Sequence, residues 1–273
     1  MNFFGYTLLI FLILFLLLLL TMCGRKDHPG IRRLYGCHYA HRGLHGPRAP
    51  ENSMAAFKAA LIRGYGIELD VHLMKDGKLA VIHDASLKRT AGVDVNIEDL
   101  TLPELADYRL EGTEETIPTF EQVLELYAGK APIIIELKPV RKNHAALAKA
   151  VCEVLKTYKG AYCIESFDPR CLLWLKKHKP GIIRGQLSQN FFKSKDKLSP
   201  VIKFLLTNNL LNFLTQPDFI AYRFEHRKTF SVAVCKKFWK MTCIGWTIKD
   251  PEMQKDVVKE RWLSIFEGFK PQQ

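Results

Sequence analysis

Residues 66–84, GIELDVHLMKDGKLAVIHD, place two carboxylates inside an otherwise apolar strand pattern. Residues i and i+2 of a strand point to the same side, so Glu68 and Asp70 share one face. The Asp-Gly dipeptide at positions 76–77 is typical of a two-residue hairpin loop of type I′. Such a loop pairs Asp70 with His83, and directly opposed residues lie about 5 Å apart at Cβ. The stretch therefore predicts a cluster of two carboxylates and one imidazole.

Apolar runs alternate with amphipathic stretches along the rest of the chain. Alternation of strand and helix predicts a parallel (β/α)₈ barrel, a TIM barrel, with the hairpin as a small insertion after the second strand. The predicted strands are 37–41, 66–71, 132–138, 161–166, 182–187, 218–222, 243–248 and 262–267. The predicted helices include 52–64, 101–110, 119–129, 143–158 and 169–181.

An uncharged stretch, FFGYTLLIFLILFLLLLLTM, occupies residues 3–22. A helix rises ~1.5 Å per residue, so about twenty residues cross the ~30 Å hydrocarbon core. A cleaved signal peptide would need a basic start and a small-x-small site, which this stretch lacks. A lipoprotein site at Cys23 would need a small residue in place of Met22. Residues 1–24 are therefore predicted to form an uncleaved transmembrane anchor.

Positive charges follow the anchor and none precedes it. Residues 25–35 read as a basic juxtamembrane linker, and residues 36–273 as one domain. The positive-inside tendency predicts a single-pass protein of the cell membrane with its domain in the cytoplasm. The seven cysteines have no CxxC spacing, which favours reduced thiols.

The formal charge of +12 suggests an anionic partner. The basic residues are scattered, and no basic block interleaved with aromatic residues of the RNA-binding kind occurs, so we expect no nucleic-acid partner. Anionic lipid at the foot of the anchor accounts for the charge more simply.

Charged side chains also end two other predicted strands. Glu136 and Lys138 are spaced i, i+2 in PIIIELK, and His41 ends the first strand. Parallel barrels keep their active sites at the carboxyl ends of the strands. Any one of these residues alone is better explained as a solvated surface position. Their recurrence at matching positions indicates an active site.

Glu68, Asp70 and Glu136 would then share one site. Carboxylates held together repel one another unless a cation lies between them. Hard oxygen ligands suit Mg²⁺ or Ca²⁺ better than zinc. We therefore expect one divalent cation, Mg²⁺ or Ca²⁺.

Residues 40–84 resemble the signature region of the glycerophosphodiester phosphodiesterase family, in particular a membrane-anchored bacterial-type member. The shared motifs in this region are His-Arg-Gly, Pro-Glu-Asn, Glu-x-Asp-Val, Lys-Asp-Gly and His-Asp. The match continues through LTLPEL (100–105), IPTFEQVLEL (117–126), IELKP (135–139), SFDP (166–169) and GWTI (245–248). The resemblance covers nearly everything after the anchor.

The resemblance implies a metal-dependent TIM-barrel hydrolase that splits a glycerophosphodiester into an alcohol and sn-glycerol 3-phosphate. The roles that it implies are metal ligation by Glu68, Asp70 and Glu136, acid and base catalysis by His41 and His83, and phosphate binding by Arg42 and Lys138. It does not say which histidine is the acid. It also leaves open whether water or a glycerol hydroxyl attacks.

Further positions match the family with a structural alternative beside each. Glu51 and Asn52 would brace the loop after the first strand, although Asn52 is equally suited to cap a helix. Trp246 would pack on glycerol or in the core. Glu165 on the fourth strand is assigned a structural role. Glu267 stands where many members have an aspartate and is assigned a local structural role.

The anchor leaves the substrate open. A soluble glycerophosphodiester fits the family, and a tethered barrel is equally suited to cut lysophospholipids in the manner of a lysophospholipase D. A barrel that binds phosphodiesters without cleaving them is disfavoured because the catalytic residue types are all present. A glycosidase is disfavoured by the paired histidines. The apolar segment 190–219 is interpreted as a connection packed on the barrel, with a membrane-lying surface as the alternative.

Overall fold

Eight parallel strands close into a barrel in the computed structural model, which describes residues 3–272. Strand β1 pairs in parallel with both β2 and β9, which closes the sheet. The strands are β1 Tyr39–His41, β2 Gly66–Leu73, β3 Leu79–Val81, β4 Ile133–Leu137, β5 Tyr162–Ser166, β6 Arg184–Ser188, β7 Phe219–Arg223, β8 Thr242–Ile248 and β9 Leu263–Phe266. All but β3 belong to the barrel, so the predicted TIM barrel is confirmed.

One long helix precedes the first strand, and the other helices follow strands on the outside of the barrel. They are α1 Phe3–Thr21, α2 Met54–Ile62, α3 Lys88–Ala91, α4 Leu102–Leu105, α5 Phe120–Tyr127, α6 His144–Val154, α7 Pro169–His178, α8 Pro200–Thr207, α9 Asn212–Thr215, α10 Phe230–Ala233 and α11 Pro251–Lys259. Short 3₁₀ turns cover Ile31–Leu34, Ile97–Asp99, Phe191–Lys193 and Phe224–His226, and a π-helical turn, Val234–Phe238, continues α10. The helix predicted over 101–110 is wrong in length, since α4 is only four residues long.

The loop of the β2–β3 hairpin contains three residues, 75–77. The Met74 amide donates to the Lys78 carbonyl at 2.9 Å, and the Gly77 amide donates to the Met74 carbonyl at 3.1 Å. Gly77 alone in this loop has a positive φ, +81°. A turn followed by one left-handed glycine is typical of a three-residue hairpin loop. The predicted two-residue type I′ loop is therefore wrong.

The longer loop shifts the strand register by one residue. Val71 pairs with Val81, whereas the predicted two-residue loop would pair it with Ile82. A shift of one residue moves each side chain to the opposite face of a regular strand. The predicted direct pairing of Asp70 with His83 is therefore wrong. His83 still lies close enough for its charge to lower the pKa of Asp70, since it follows the end of β3 at Val81 and is not held to the alternation of that strand.

The barrel interior is apolar at one end and charged at the other. Tyr39 of β1, Ile134 of β4 and Phe219 of β7 belong to one buried cluster, to which β5, β6, β8 and β9 also contribute. Gly185 makes room for it, because a Cβ there would lie 2.0 Å from the Phe219 ring. Glu68 faces the same interior nearer the carboxyl ends of the strands. The alternating residues between them pack outward against the helices.

The apolar helix α1 leads directly onto the barrel. It has 19 residues and a mean hydropathy of 2.9, so among the described residues it is the one helix long and apolar enough to cross a membrane. Its last turn is packed, since Leu19 is buried and its carbonyl accepts from the Trp239 indole at 2.9 Å. Beyond it, Arg25 pairs with Asp218 at 2.6 Å and Leu34 is fully buried.

Candidate active site

Strand register gathers the predicted site residues at one end of the barrel. His41 and Glu68 are Cα partners across β1 and β2, and Asp70 and Glu136 are Cα partners across β2 and β4. This parallel register brings the four residues side by side near the carboxyl ends of their strands, the end at which such barrels keep their active sites. The side chains that we predicted from separate motifs therefore meet at the barrel mouth.

Three buried carboxylates form the floor of this site. One oxygen each from Glu68, Asp70 and Glu136 lies within 4.8 Å of the others, and each residue is at most 6% exposed. Burial and the neighbouring carboxylates raise the pKa of Glu68 well above its ordinary value, and burial raises that of Glu136 to about 7. The Asp70 Oδ1 atom accepts no hydrogen bond from the described residues. Hard oxygen donors at this spacing fit a divalent cation such as Mg²⁺ or Ca²⁺.

Positive side chains surround the acidic triad. Lys138 Nζ lies 3.1 Å from Glu136 and 3.5 Å from Asp70, and Arg42 Nε lies 3.5 Å from Asp70. Burial alone would raise the pKa of Asp70, but Lys138, His83 and Arg42 outweigh it and lower that pKa. The site therefore combines negative ligand oxygens with positive donors suited to a phosphate.

His41 is held between two carboxylates. Its Nδ1 lies 2.6 Å from Glu267 Oε2, and its Nε2 lies 3.9 Å from Glu68 Oε2. Burial lowers the pKa of His41, and the hydrogen bond from His41 lowers that of Glu267 to about 2. The sequence assigned Glu267 only a local structural role, whereas its carboxylate contacts a candidate catalytic imidazole. The sequence offered one signal for this contact, because Glu267 stands where many members of the resembled family have an aspartate.

His83 has a similar partner beside it in the sequence. Its Nδ1 lies 2.7 Å from Asp84 Oδ1, whose other oxygen accepts from Arg89 Nε at 2.5 Å. Burial lowers the pKa of His83 to about 4. The His83 carbonyl lies 3.1 Å from Nε2 of His72, whose Nδ1 lies 2.6 Å from Glu98. His72, which the sequence gave no role, thus supports the backbone of His83.

The loop after β1 is tied to the triad by Glu51 and Asn52. Arg42 Nη1 donates to Glu51 Oε1 at 3.0 Å, and Asn52 Nδ2 donates to Asp70 Oδ2 at 2.9 Å. Asn52 does not cap α2, because the cap is Ser53, whose hydroxyl accepts from the Ala56 amide. The side chain of Asn52 therefore contacts a candidate ligand and leaves capping to its neighbour.

Glu165 and Trp246 complete the mouth. Glu165 is the Cα partner of Glu136 and is 1% exposed, and burial raises its pKa well above the ordinary value. The Trp246 indole donates to the Ala221 carbonyl at 3.3 Å, and its ring meets Phe167 edge-on at 5.6 Å. Trp246 is thus anchored to the barrel and also lines a cavity at the mouth.

Two adjoining cavities open at the mouth. A cavity of about 390 Å³ is lined by His83, Glu136 and Lys138, and a second of about 830 Å³ extends from His83 and Lys138 to Trp246. Both volumes fall within the roughly 300–1,000 Å³ of small-molecule sites. A substrate placed there would contact the positive donors and one of the two imidazoles.

The family model of the glycerophosphoryl diester phosphodiesterase family matches residues 41–262. The chain belongs to this family. The matched range contains His41, both carboxylates of β2 and every other predicted site residue.

The curated relatives of this chain include a lysophospholipase D and a glycerophosphodiester phosphodiesterase. Lysophospholipase D GDPD1 of Rattus norvegicus is 38% identical over 141 residues, which are 47% of this chain and 43% of that protein. A glycerophosphodiester phosphodiesterase of Bacillus altitudinis is 36% identical over 169 residues, 58% of this chain and 69% of that protein. The chain therefore matches less than half of the length of the first relative.

Solved structures agree with the barrel. A phosphodiesterase of Oleispira antarctica in complex with the product sn-glycerol-3-phosphate has a TM-score of 0.71 at 25% identity, covering 85% of this chain and 92% of that one. A glycerophosphodiester phosphodiesterase of Thermotoga maritima has a TM-score of 0.64 at 29% identity, covering 84% and 92%.

Proposed function

We propose that this protein hydrolyses glycerophosphodiesters to an alcohol and sn-glycerol 3-phosphate with the help of one divalent cation. The observation that carries the proposal is a buried acidic triad flanked by two imidazoles, each with a carboxylate at Nδ1. Membership of the family and the product-bound relative support the same reaction. A barrel that only binds phosphodiesters would have no need of two imidazoles oriented in this way.

Glu68, Asp70 and Glu136 are proposed to hold the cation, either Mg²⁺ or Ca²⁺. A cation held there would supply positive charge to stabilise the phosphoryl oxygens. Arg42 and Lys138 are proposed to bind the remaining phosphate oxygens, because their charged groups already lie within 3.5 Å of Asp70. Fixed donors at these oxygens favour the transition state, in which the negative charge is greatest.

His41 and His83 are proposed as the acid and the base. A carboxylate at Nδ1 keeps a proton on that nitrogen and leaves Nε2 free to exchange a proton with substrate. One neutral imidazole takes the proton of the nucleophile, and the other, in its protonated form, gives a proton to the leaving alkoxide. Glu267 and Asp84 would orient the two rings.

The surrounding residues are proposed to shape the site. Trp246 would pack on the glycerol of the substrate, and Glu51 and Asn52 would hold the loop that carries Arg42. The Asn52 amide also fixes the orientation of Asp70 through its 2.9 Å hydrogen bond. Such outer contacts typically change metal affinity or activity by about 10–100-fold when they are removed.

Residues 1–24 are proposed as a single-pass anchor in the cell membrane, followed by the basic segment 25–35 and the catalytic domain 36–273. The length and hydropathy of α1 support this proposal, and the positive charges after it favour a cytoplasmic side for the domain.

A metal add-back assay on the full chain in detergent tests the proposed reaction. Protein stripped with EDTA is given glycerophosphocholine, and release of sn-glycerol 3-phosphate is measured with Mg²⁺, with Ca²⁺ and without metal. We expect release to return with one of the ions, to be lost in His41→Ala and to persist in His178→Ala, which alters an exposed histidine. Release that needs no metal, or that survives in His41→Ala, would contradict the proposal.

A further inference from the structure

Arg89 joins two loops at the barrel mouth. It lies in the short helix α3, which follows β3, and its side chain contacts two carboxylates at once. Its Nε donates to Asp84 Oδ2 at 2.5 Å, and its Nη2 donates to Glu51 Oε1 at 2.5 Å. Glu51 belongs to the loop after β1 and Asp84 to the segment after β3. One guanidinium therefore holds the two loops together.

Each of these carboxylates has a residue of the proposed site on its other side. Asp84 Oδ1 lies 2.7 Å from His83 Nδ1, and Glu51 Oε1 accepts from Arg42 Nη1 at 3.0 Å. The contacts form a continuous chain in the order His83, Asp84, Arg89, Glu51 and Arg42, which we call the Arg89 bridge. The bridge therefore runs from an imidazole of the site to a donor for phosphate.

Within the described residues, Arg89 is the partner that the two carboxylates have in common. The side chain of Glu51 bonds to Arg42 and Arg89, and that of Asp84 bonds to His83 and Arg89. Burial alone would raise the pKa of both carboxyl groups, but Arg89 gives each of them the strongest opposing hydrogen bond, and both pKa values are lowered. Both carboxylates therefore stay ionised as acceptors for Arg89.

The exposure of Arg89 argues against a role confined to stability. Its side chain is 47% exposed, and ion pairs at such positions add little to the free energy of unfolding because water screens them. The planar guanidinium nevertheless offers its donors in a fixed fork, which a lysine ammonium does not. The main effect of the bridge is therefore on the positions of its two ends.

The two ends of the bridge lie where regular strand pairing has stopped. Arg42 directly follows β1, which ends at His41, and His83 follows β3, which ends at Val81. A displacement of about 1 Å at a reacting or binding group can cost about 100-fold in rate. The side-chain contacts of the bridge are therefore in a position to decide how well the site is aligned.

We propose that Arg89 is a positioning residue that couples the phosphate donor Arg42 to the imidazole of His83. The inference rests on the proposed function, which gives Arg42 and His83 their roles. A phosphate oxygen bound to Arg42 fixes that guanidinium, and the bridge passes the constraint through Glu51 and Asp84 to the ring. Nε2 of His83 is then held towards the phosphate while the substrate is in place.

Three variants separate the fork of Arg89 from its charge, each assayed as the full chain in detergent with the cation that supports the parent protein. Arg89→Met removes fork and charge, and Arg89→Lys keeps the charge alone. Lys88→Met removes a charge from the same helix, where Lys88 Nζ lies 3.7 Å from Asp94, outside the bridge. We expect both changes at Arg89 to lower kcat/KM for glycerophosphocholine by about tenfold, and Lys88→Met to match the parent. Parental activity in Arg89→Lys would overturn the role of the fork.

A double-variant cycle tests the coupling itself. Glu51→Gln and Asp84→Asn each weaken one arm of the bridge. Losses at sites without a shared partner are additive, whereas a shared partner makes them interact. With Arg89 present, the double variant should therefore lose at least about threefold less in kcat/KM than the product of the two single losses. The same cycle in the Arg89→Met background should be additive.

Two results of the cycle would overturn the inference. One is additive losses with Arg89 present, and the other is an equal coupling in Arg89→Met. Circular dichroism and melting temperature check the folding of every variant, and Arg89→Lys replaces Arg89→Met in the cycle if the latter does not fold.

The parent protein separates this inference from the proposed function. If the parent released no sn-glycerol 3-phosphate from glycerophosphocholine, the proposed function and the coupling would both fail. Release by the parent together with additive losses in the cycle would keep the proposed function and overturn the coupling through Arg89.

Discussion

The two imidazoles at the barrel mouth have matching partners that the chain supplies in different ways. His41 Nδ1 lies 2.6 Å from Glu267, which is 226 residues away, and His83 Nδ1 lies 2.7 Å from Asp84, the next residue. The first pair forms only when the last barrel strand closes against β1. The second pair is local and needs only the turn after β3. Equivalent chemistry at one site thus depends on global closure in one case and on local sequence in the other.

The surroundings of the two rings also differ. The His41 side chain is 16% exposed and has Glu68 on its other side, whereas that of His83 is 30% exposed and faces the charges of Asp70, Lys138 and Arg42. Burial is the main cause of the lowered pKa of both rings. Water can therefore replace a lost partner more easily at His83 than at His41.

The largest effect should come from removing each ring in turn. His41→Ala and His83→Ala should each lower kcat by about 10²–10⁴-fold, the usual contribution of a positioned acid or base. A substrate with a nitrophenol leaving group needs no proton for departure, so it should restore activity to only one of the two variants. Steady-state kinetics with the glycerophosphodiester and with the nitrophenol substrate would measure kcat for both variants.

The variant whose activity the nitrophenol substrate restores is the one that has lost the general acid. Unchanged circular dichroism and melting temperature serve as the control for folding. Restoration of both variants, or of neither, would mean that the two rings do not divide the roles of acid and base.

Changes to the carboxylate partners should have a smaller and unequal effect. Glu267→Gln should lower kcat by about 10–100-fold, as expected for the partner of a catalytic imidazole. Asp84→Asn should cost less, because the more exposed His83 ring can bond to water. Comparison of kcat and KM for both variants checks this, and an equal or larger loss in Asp84→Asn would remove the distinction between the pairs.

Removal of the His72 side chain should impair catalysis by His83 and should not impair catalysis by His41. His72→Ala leaves the Glu98 carboxylate, whose side chain is 7% exposed, without its partner. Leaving a buried acceptor without its hydrogen bond costs about 1–3 kcal/mol, which urea denaturation would measure as a lower free energy of unfolding. We expect a modest fall in kcat that does not add to the loss in His83→Ala. A fully additive loss in the double variant would show that His72 acts elsewhere.

The smallest effect is a pH dependence of stability in the metal-free protein. Burial lowers the pKa of His83 from 6.5 to about 4, so between these values the unfolded chain binds more protons at this ring. The ring therefore reduces the free energy of unfolding as the pH falls from about 6.5 towards 4, and it has no such effect above 6.5. In urea titrations at pH 7 and pH 5, His83→Gln should lose less stability than the parent protein.

A constant difference between parent and variant across this range would contradict the lowered pKa. The same titration of His41→Gln would show whether the neighbouring Glu267 changes the response of the other ring.

Local patterns in the sequence predicted most of the fold and several features of the site. The eight barrel strands follow from apolar runs, and the height of Glu68, Asp70 and Glu136 at the mouth follows from i, i+2 spacing and parallel register. The hairpin register was not predictable from the Asp-Gly signal, because both a two-residue and a three-residue loop place a glycine at positive φ. The two loop lengths differ by one residue, which is enough to move each following side chain to the opposite face of the strand.

The sequence by itself therefore determined the barrel, the residue types at its mouth and the apolar helix before it, since each is encoded in contiguous residues. Only the tertiary structure decided that Glu267 meets His41, that Asn52 bonds Asp70, and that the last turn of α1 packs on the barrel. These contacts join residues far apart in the chain. Their geometry depends on how strands, loops and helices pack, and local sequence patterns do not determine that packing.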